Sequence, residues 1–301
     1  MLVMNNYKLS KQARIVLKIS SLGSYLRTEP TSENLDRKRK KFIKLGRWMK
    51  PEKGTKITRQ KIDNVDVDVI VNHSKPERVI VYAHGGGFVY GGNQVHLHML
   101  SMLSRLARAT IYAVDYKTSP EYQYPVARDE VVAVYNEILK KSKQEILFAG
   151  DSSGGNLILS ALIHLRDKNV KLPTKAVLLS PATDATFTNE WIYKNAKTDS
   201  MISKERLEFF LDAYAGDSDK KDPGISPLYA NLANLPPILL HVGSGEVMFG
   251  DSKLVHEKIL KSSGYSELYV GEGLWHLWHI HTKFVPESRE AVQHIADFIN
   301  K

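Results

Sequence analysis

The sequence predicts an α/β protein: a mostly parallel central sheet with helices on both faces, entered through an N-terminal antiparallel hairpin and overlaid by a helical cap. Three observations carry this. From residue 78 onward, short apolar runs of strand length alternate with longer helical segments, the order that builds parallel strands joined by crossover helices. Before that, Lys56–Ile62 and Val65–Val71 flank Asp63-Asn64, a turn signal between two extended runs. Between Ala182 and Pro236 the alternation stops and no strand pattern appears.

Taken in order, residues 1–50 read as helical, broken at Thr28-Glu29-Pro30-Thr31-Ser32, with a new helix start at Ser32-Glu33-Asn34. Pro51 to Gly54 punctuates, and Val65-Asp-Val-Asp-Val then alternates with the period of a half-exposed strand. Strands follow at 78–83, 110–114, 145–149, 175–179, 237–242 and 265–270. Helices are expected at 95–108, 125–140, 156–166, 250–262 and 287–299, with Pro125 suited to a first turn. Inside the strandless interval, 203–214 is a helix with Ser203 as its cap. The expected organisation is an N-terminal helical cap segment (1–50) and a sheet domain (51–301) carrying a helical cap insertion at about 183–235.

Composition narrows the function classes. The 301 residues are 43% hydrophobic, enough for a sizeable core, and contain no cysteine. Disulfides and thiolate chemistry are thereby excluded, and a zinc site would have only His and carboxylates to use. The first residues hold no uninterrupted apolar stretch of the secretory kind, and no run reaches eighteen apolar residues. The expectation is a soluble cytoplasmic protein without stable membrane anchoring. The net charge of +9 invites a nucleic-acid reading, but no nucleic-acid module accompanies it. Much of the excess sits in Arg37-Lys-Arg-Lys-Lys41, Lys44, Arg47 and Lys50, interleaved with Leu35, Phe42, Ile43, Leu45, Trp48 and Met49. That pattern suits a surface helix packed on the body of the protein by its apolar side; the competing reading is a basic amphipathic helix on an anionic membrane.

The stretch around which the chain is organised is Glu145-Ile-Leu-Phe-Ala-Gly150-Asp151-Ser152-Ser153-Gly154-Gly155-Asn156. A strand that reverses sharply into a helix strains the residue at the turn and demands small residues two before and two after it. The hydroxyl is then raised above the sheet, with a helix N-terminus behind it. Ser152 is the only serine with glycine at both positions. Ligands in such sheets sit at the carboxyl ends of the strands. After 78–83 comes His84-Gly85-Gly86-Gly87-Phe88, whose backbone amides can approach an oxyanion without side chains intervening. Gly85, Gly86 and the amide of Ser153 are the expected oxyanion donors. The first acid past strand 237–242 is Glu246, with Asp251 as backup; the first histidine past strand 265–270 is His276. Nucleophile, acid and base thus follow separate strands in the order that this geometry requires. A metal reading of His276, His279 and His281 is set aside, because one helical turn cannot aim all three at one ion. His96 and His98 read as surface or packing histidines.

His84-Gly-Gly-Gly87, Asp115-Tyr-Lys-Thr-Ser-Pro-Glu121 and Gly150-Asp-Ser-Ser-Gly-Gly155 together resemble the hormone-sensitive-lipase family of α/β-hydrolases, in its bacterial carboxylesterase and acetyl esterase branch. The resemblance runs from about Val79 to the C-terminus. It implies the α/β-hydrolase fold and a serine carboxylesterase acting without cofactor on short- to medium-chain acyl esters under a helical cap. Ser152 would be the nucleophile, Glu246 the acid and His276 the base. Glu246 stands where the family usually has Asp, and Ser153 where it often has Ala. The alternatives are a deacetylase or amidase using the same residues, and a non-catalytic member that binds a small ligand. Phe88, Tyr90, Trp191, Tyr193, Phe209 and Phe210 either line the pocket or pack the cap. A homodimer is possible.

Overall fold

The computed structural model describes residues 2–5, 9–22, 30–31 and 33–301. Among them nine strands form one sheet: β1 (Leu2–Asn5), β2 (Lys56–Ile62), β3 (Val65–Val71), β4 (Arg78–Ala83), β5 (Ala109–Asp115), β6 (Glu145–Asp151), β7 (Ala176–Leu179), β8 (Ile238–Gly243) and β9 (Ser266–Gly271). Their order across the sheet is β1-β9-β8-β7-β6-β4-β5-β3-β2. Only β2 with β3 and β3 with β5 run antiparallel; the other pairs are parallel. Asp63 and Asn64 both take positive φ at the hairpin turn, as a tight two-residue connection requires.

Strand β4 shows why the runs are apolar throughout rather than alternating. Val79, Val81 and Ala83 face one core while Ile80 and Tyr82 face the other, and all five are buried. The first core packs α4 (Val126–Lys141), α5 (Ser153–Asp167) and α8 (Phe249–Lys261) on the sheet. The second packs α3 (Leu97–Leu106) and α9 (Pro286–Asn300) on the opposite face. Helices on both faces of a mostly parallel sheet are therefore present, as expected. The interval between Ala182 and Pro236 holds no strand; its helices are α6 (Trp191–Lys194) and α7 (Lys204–Ala215). Ser203 caps α7 by accepting the Arg206 amide at 3.1 Å.

The N-terminal fifty residues depart from the all-helical expectation. Helices α1 (Lys11–Leu22) and α2 (Leu35–Leu45) are there, but Leu2–Asn5 is a strand parallel to β9. The physical reason is tertiary: an open sheet edge presents unpaired amides and carbonyls that an extended apolar segment can satisfy. The break expected at 28–32 lies partly outside the described residues, and so does Ser32; the cap position of α2 is held by Asn34. Ser10 fastens the start of α1 to Glu287, with its amide at 2.6 Å and its hydroxyl at 2.9 Å from the two carboxylate oxygens. The basic run divides. Arg39 grips both oxygens of Glu121 at 2.7 Å and donates to the carbonyls of Val89 and Ser119, and Lys38 is buried. Arg37, Lys40, Lys41, Lys44 and Arg47 stay exposed. Leu35 and Phe42 pack on Tyr90 and Phe210, the arrangement expected of a helix resting on the body. Among the described residues no helix is long and apolar enough to cross a membrane.

His241 on β8 and His279 are fully buried and in contact, Nδ1 to Nε2 at 3.2 Å, with His294 at 3.0 Å from His241 on the other side. Burial holds His241 well below the ordinary imidazole value and brings His279 down to about 3. An unfolded histidine takes up its proton near pH 6.5, whereas these folded ones do not. The stability they contribute is therefore present above that pH and lost as pH falls below it, at about 1.4 kcal/mol per histidine per pH unit. Denaturant midpoints between pH 6.5 and 4 should show this slope, and His279→Gln should flatten it by about one proton; an unchanged slope would refute the assignment.

Candidate active site

Ser152 sits between the last residue of β6 and the first of α5, at φ 52° and ψ −119°. Backbone strain of this kind costs about 1–3 kcal/mol and survives only where the surroundings enforce it. Here they do. The Ser152 amide donates to Leu179 O at 2.8 Å, and its carbonyl accepts from Asn156 and Ala182. A Cβ on Gly150 would stand 2.6 Å from Gly154 O, and one on Gly154 would strike the carbonyl of Ala83 on the neighbouring strand. The glycines two before and two after Ser152 are thus demanded by packing, for the reason expected.

The hydroxyl meets a continuous line of hydrogen-bonding groups. His276 Nε2 lies 3.1 Å from Ser152 Oγ, and its Nδ1 lies 2.7 Å from Glu246 Oε2. All three residues are buried. The other Glu246 oxygen accepts the Gly243 amide at 2.6 Å and the Ser180 hydroxyl at 2.8 Å, so the longer glutamate arm is clamped at its far end. With Nδ1 donating to this carboxylate, Nε2 is left to accept the serine proton. Burial opposes a charge on His276, but the hydrogen bond and negative charge of Glu246, helped by Asp199, outweigh it and raise its pKa.

Asp251 belongs elsewhere. Its carboxylate receives the amides of Thr183 and Asp184 and the side chain of Asn189, and burial raises its pKa to about 7. His279 and His281 do not join His276: the first contacts His241, and the ring of the second lies edge-on to Trp275 at 5.6 Å.

The oxyanion expectation needs correction at Gly85. Its amide donates to Asp151 Oδ1 at 2.8 Å and is not available to a ligand. Gly86 and Gly87, at φ 138° and 63°, border the cavity with Ser153, and among the described residues no acceptor is seen for their amides. The loop is held from beneath by a buried cluster that sequence reasoning did not find. Asp151 binds the Gly85 amide, the Tyr82 hydroxyl and His96 Nε2. Burial works against its charge, but His96, Tyr82 and Gly85 together hold its pKa below the ordinary carboxylate value. His96 is a buried partner of this acid, not a surface histidine; the signal available was an aspartate between Gly150 and Ser152. His98 is half-buried and bonds Thr282.

A cavity of about 100 Å³ opens beside Ser152 and His276. Phe88, Tyr90 and Phe210 line it, as does Phe42 from α2. Trp191 does not; its ring packs edge-on against Phe249 at 4.7 Å. Tyr193 is largely exposed, and Phe209 packs behind Phe210.

The α/β-hydrolase fold family matches residues 80–280, well over half of the chain. An esterase of Acinetobacter venetianus is 32% identical over 224 residues, which are 73% of this chain and 74% of that one. An acetyl-hydrolase of Streptomyces hygroscopicus is 30% identical over 74% and 75% of the two chains. Among solved structures, a mutant of the esterase E40 superimposes with a TM-score of 0.92 at 29% identity, covering 97% of this chain and 98% of that one. An esterase from the bacterial hormone-sensitive lipase family gives 0.91 at 28% identity over 98% and 99%. The chain belongs to the α/β-hydrolase family, in its hormone-sensitive-lipase branch, and with it to the carboxylic ester hydrolases.

A methyl group on Gly86 would collide with the carbonyl of Tyr90 and cannot adopt φ 138° without strain. Gly86→Ala should therefore lower kcat on the order of 100-fold or more, the scale of losing one preorganised oxyanion donor. Steady-state kinetics beside a circular dichroism spectrum checks this; full activity in a folded variant would remove Gly86 from the site.

Proposed function

We propose that this chain is a serine carboxylesterase of short acyl esters in which Ser152, His276 and Glu246 form the catalytic triad. The amides of Gly86, Gly87 and Ser153 serve as oxyanion donors. The observation that carries the reading is the unbroken line from Ser152 Oγ through His276 to Glu246 at the edge of a small cavity. As Oγ bonds to the ester carbonyl carbon, its proton passes to His276 Nε2. The negative charge gathers on the former carbonyl oxygen, facing backbone donors and the N-terminus of α5. Collapse breaks the bond to the alcohol, which leaves with the proton from Nε2. A water then repeats the sequence and frees the acid.

The size of the cavity supports short acyl groups. At about 100 Å³ it is smaller than the ~150 Å³ hole that admits benzene, which favours short acyl groups over long ones. The segment 1–50 and the insertion at about 183–235 act as the cap in this reading, since Phe42 of the first and Leu207 and Phe210 of the second line the cavity. Deacetylation of a small metabolite would use the same residues, and the acetyl-hydrolase relative favours it as the second reading.

Hydrolysis of p-nitrophenyl esters from acetyl to palmitoyl, with Ser152→Ala beside the wild type, tests the proposal. Activity should depend on the serine and fall away beyond the short chains; activity independent of Ser152, or none in a folded wild type, would overturn it. Because the base must be neutral to act and its pKa is raised, kcat/KM should climb through a midpoint above the ordinary histidine value of about 6.5. Glu246→Gln removes the charge responsible, so that midpoint should fall, with kcat lower by about 10³–10⁴-fold.

A further inference from the structure

The positive charge of this chain is not spread evenly over it. Residues 1–50 hold thirteen lysines and arginines against three carboxylates, a larger excess than the +9 of the whole chain, so residues 51–301 are close to neutral. From Arg37 to Pro51 the sequence contains no carboxylate. On α2 the buried side is Leu35 and Lys38; Arg37, Lys40 and Lys44 stand opposite it at helical spacing, all exposed. Arg47 and Lys50 continue the exposed row past the end of the helix. Large apolar side chains are exposed beside these cations: Ile43, Leu45 and Trp48, the last 69% exposed, and Phe284. Lys283 joins the two stretches by donating to Trp48 O at 3.2 Å. Next to this patch lies an open hollow of about 530 Å³, bordered by Lys50, Lys53, Arg105 and Lys283. The one carboxylate among the described residues that line it, Glu52, is already engaged by Arg105 Nε and Nη2 at 2.9 Å each.

Packing on the body does not account for that combination. The inner side of α2 is satisfied by Leu35 and Phe42. Single exposed apolar residues are ordinary, but a solvated basic face has no need of an indole and three further apolar side chains. Cations attract anionic headgroups, and an exposed indole is best placed where headgroups meet hydrocarbon. A second copy of the chain would set like charge against like. Duplex nucleic acid would meet the cations but gives the indole and the aliphatic side chains nothing apolar to enter. We propose that α2, the turn after it and the 283–284 loop form a surface that binds reversibly to an anionic lipid bilayer. Trp48 and its apolar neighbours enter the interface, and the hollow takes a headgroup phosphate. The chain rests on the bilayer in this arrangement and does not span it. Phe42 of the same helix lines the reactive cavity, so the bound face adjoins the site.

Sedimentation of the full chain with vesicles of phosphatidylcholine alone, and of phosphatidylcholine mixed with phosphatidylglycerol, tests the proposal. The chain should follow the anionic vesicles only, and added salt should release it by screening the attraction. Replacing Lys40, Lys44 and Arg47 together by Gln should lower the partition coefficient on the order of 100-fold at low salt, the combined effect of three charges at the membrane surface. Lys53→Gln with Lys283→Gln, in the hollow, should lower it on the order of 10-fold. Trp48 is the most exposed of the four tryptophans, so indole emission should shift to the blue on binding, and Trp48→Ala should abolish the shift and weaken binding. All these side chains are exposed, and a circular dichroism spectrum checks that the variants fold. No preference for anionic over neutral vesicles overturns the proposal, as does a partition coefficient unmoved by the triple substitution or by Trp48→Ala. Tighter binding to duplex DNA than to anionic vesicles in the same buffer would assign the face to nucleic acid and overturn it as well.

Discussion

The constraint on which the rest of the structure depends is the reversal of the chain at Ser152. Strand β6 enters the turn in the middle of the sheet and α5 leaves it directly, so one residue must carry the whole change of direction at positive φ. Gly154 lies against the carbonyl of Ala83 so closely that a methyl group cannot enter, which fixes the helix start to β4 as well as to β6. The same contact sets the glycine loop after β4 beside the hydroxyl. The candidate nucleophile and the candidate oxyanion donors are therefore placed by one packing event rather than by separate loops.

Asp151 extends that coupling downward. A carboxylate in a dry interior is tolerated when its lone pairs are filled, and here Tyr82, His96 and the Gly85 amide fill them. The arrangement turns the first glycine of the loop toward the core and leaves the next two bordering the cavity. On the other side of the serine, Glu246 plays a comparable part: one oxygen is held by Ser180 and Gly243 so that the other can meet His276 at a single distance. Both acids do their work through what restrains them.

The helices that border the cavity follow different physics. Phe42, Tyr90 and Phe210 hold α2 and α7 together by aromatic contact, and Arg39 fastens α2 to Glu121 and to the carbonyls of Val89 and Ser119. A charge cluster that looks like a solvated face in the sequence thus contributes one of its members to a specific lock. Such contacts set the size and lining of the cavity without touching the reacting groups.

The sequence by itself determined the parallel sheet, the hairpin, the turn at Ser152 and the order Ser152, Glu246, His276. Each of these is written in local chemistry: runs of strand length, glycines at fixed offsets, and a polar residue just past a strand end. It also left Asp251 as a backup to Glu246, and there it stopped. Only the tertiary structure decided that Asp251 is consumed by the Thr183–Asp184 amides, that Gly85 turns inward, that His96 is buried on Asp151, and that Leu2–Asn5 completes a sheet edge. The physical reason is the same in every case. Which hydrogen bonds a backbone amide or a carboxylate makes depends on partners 50 or more residues away, and no local pattern records where those partners come to rest.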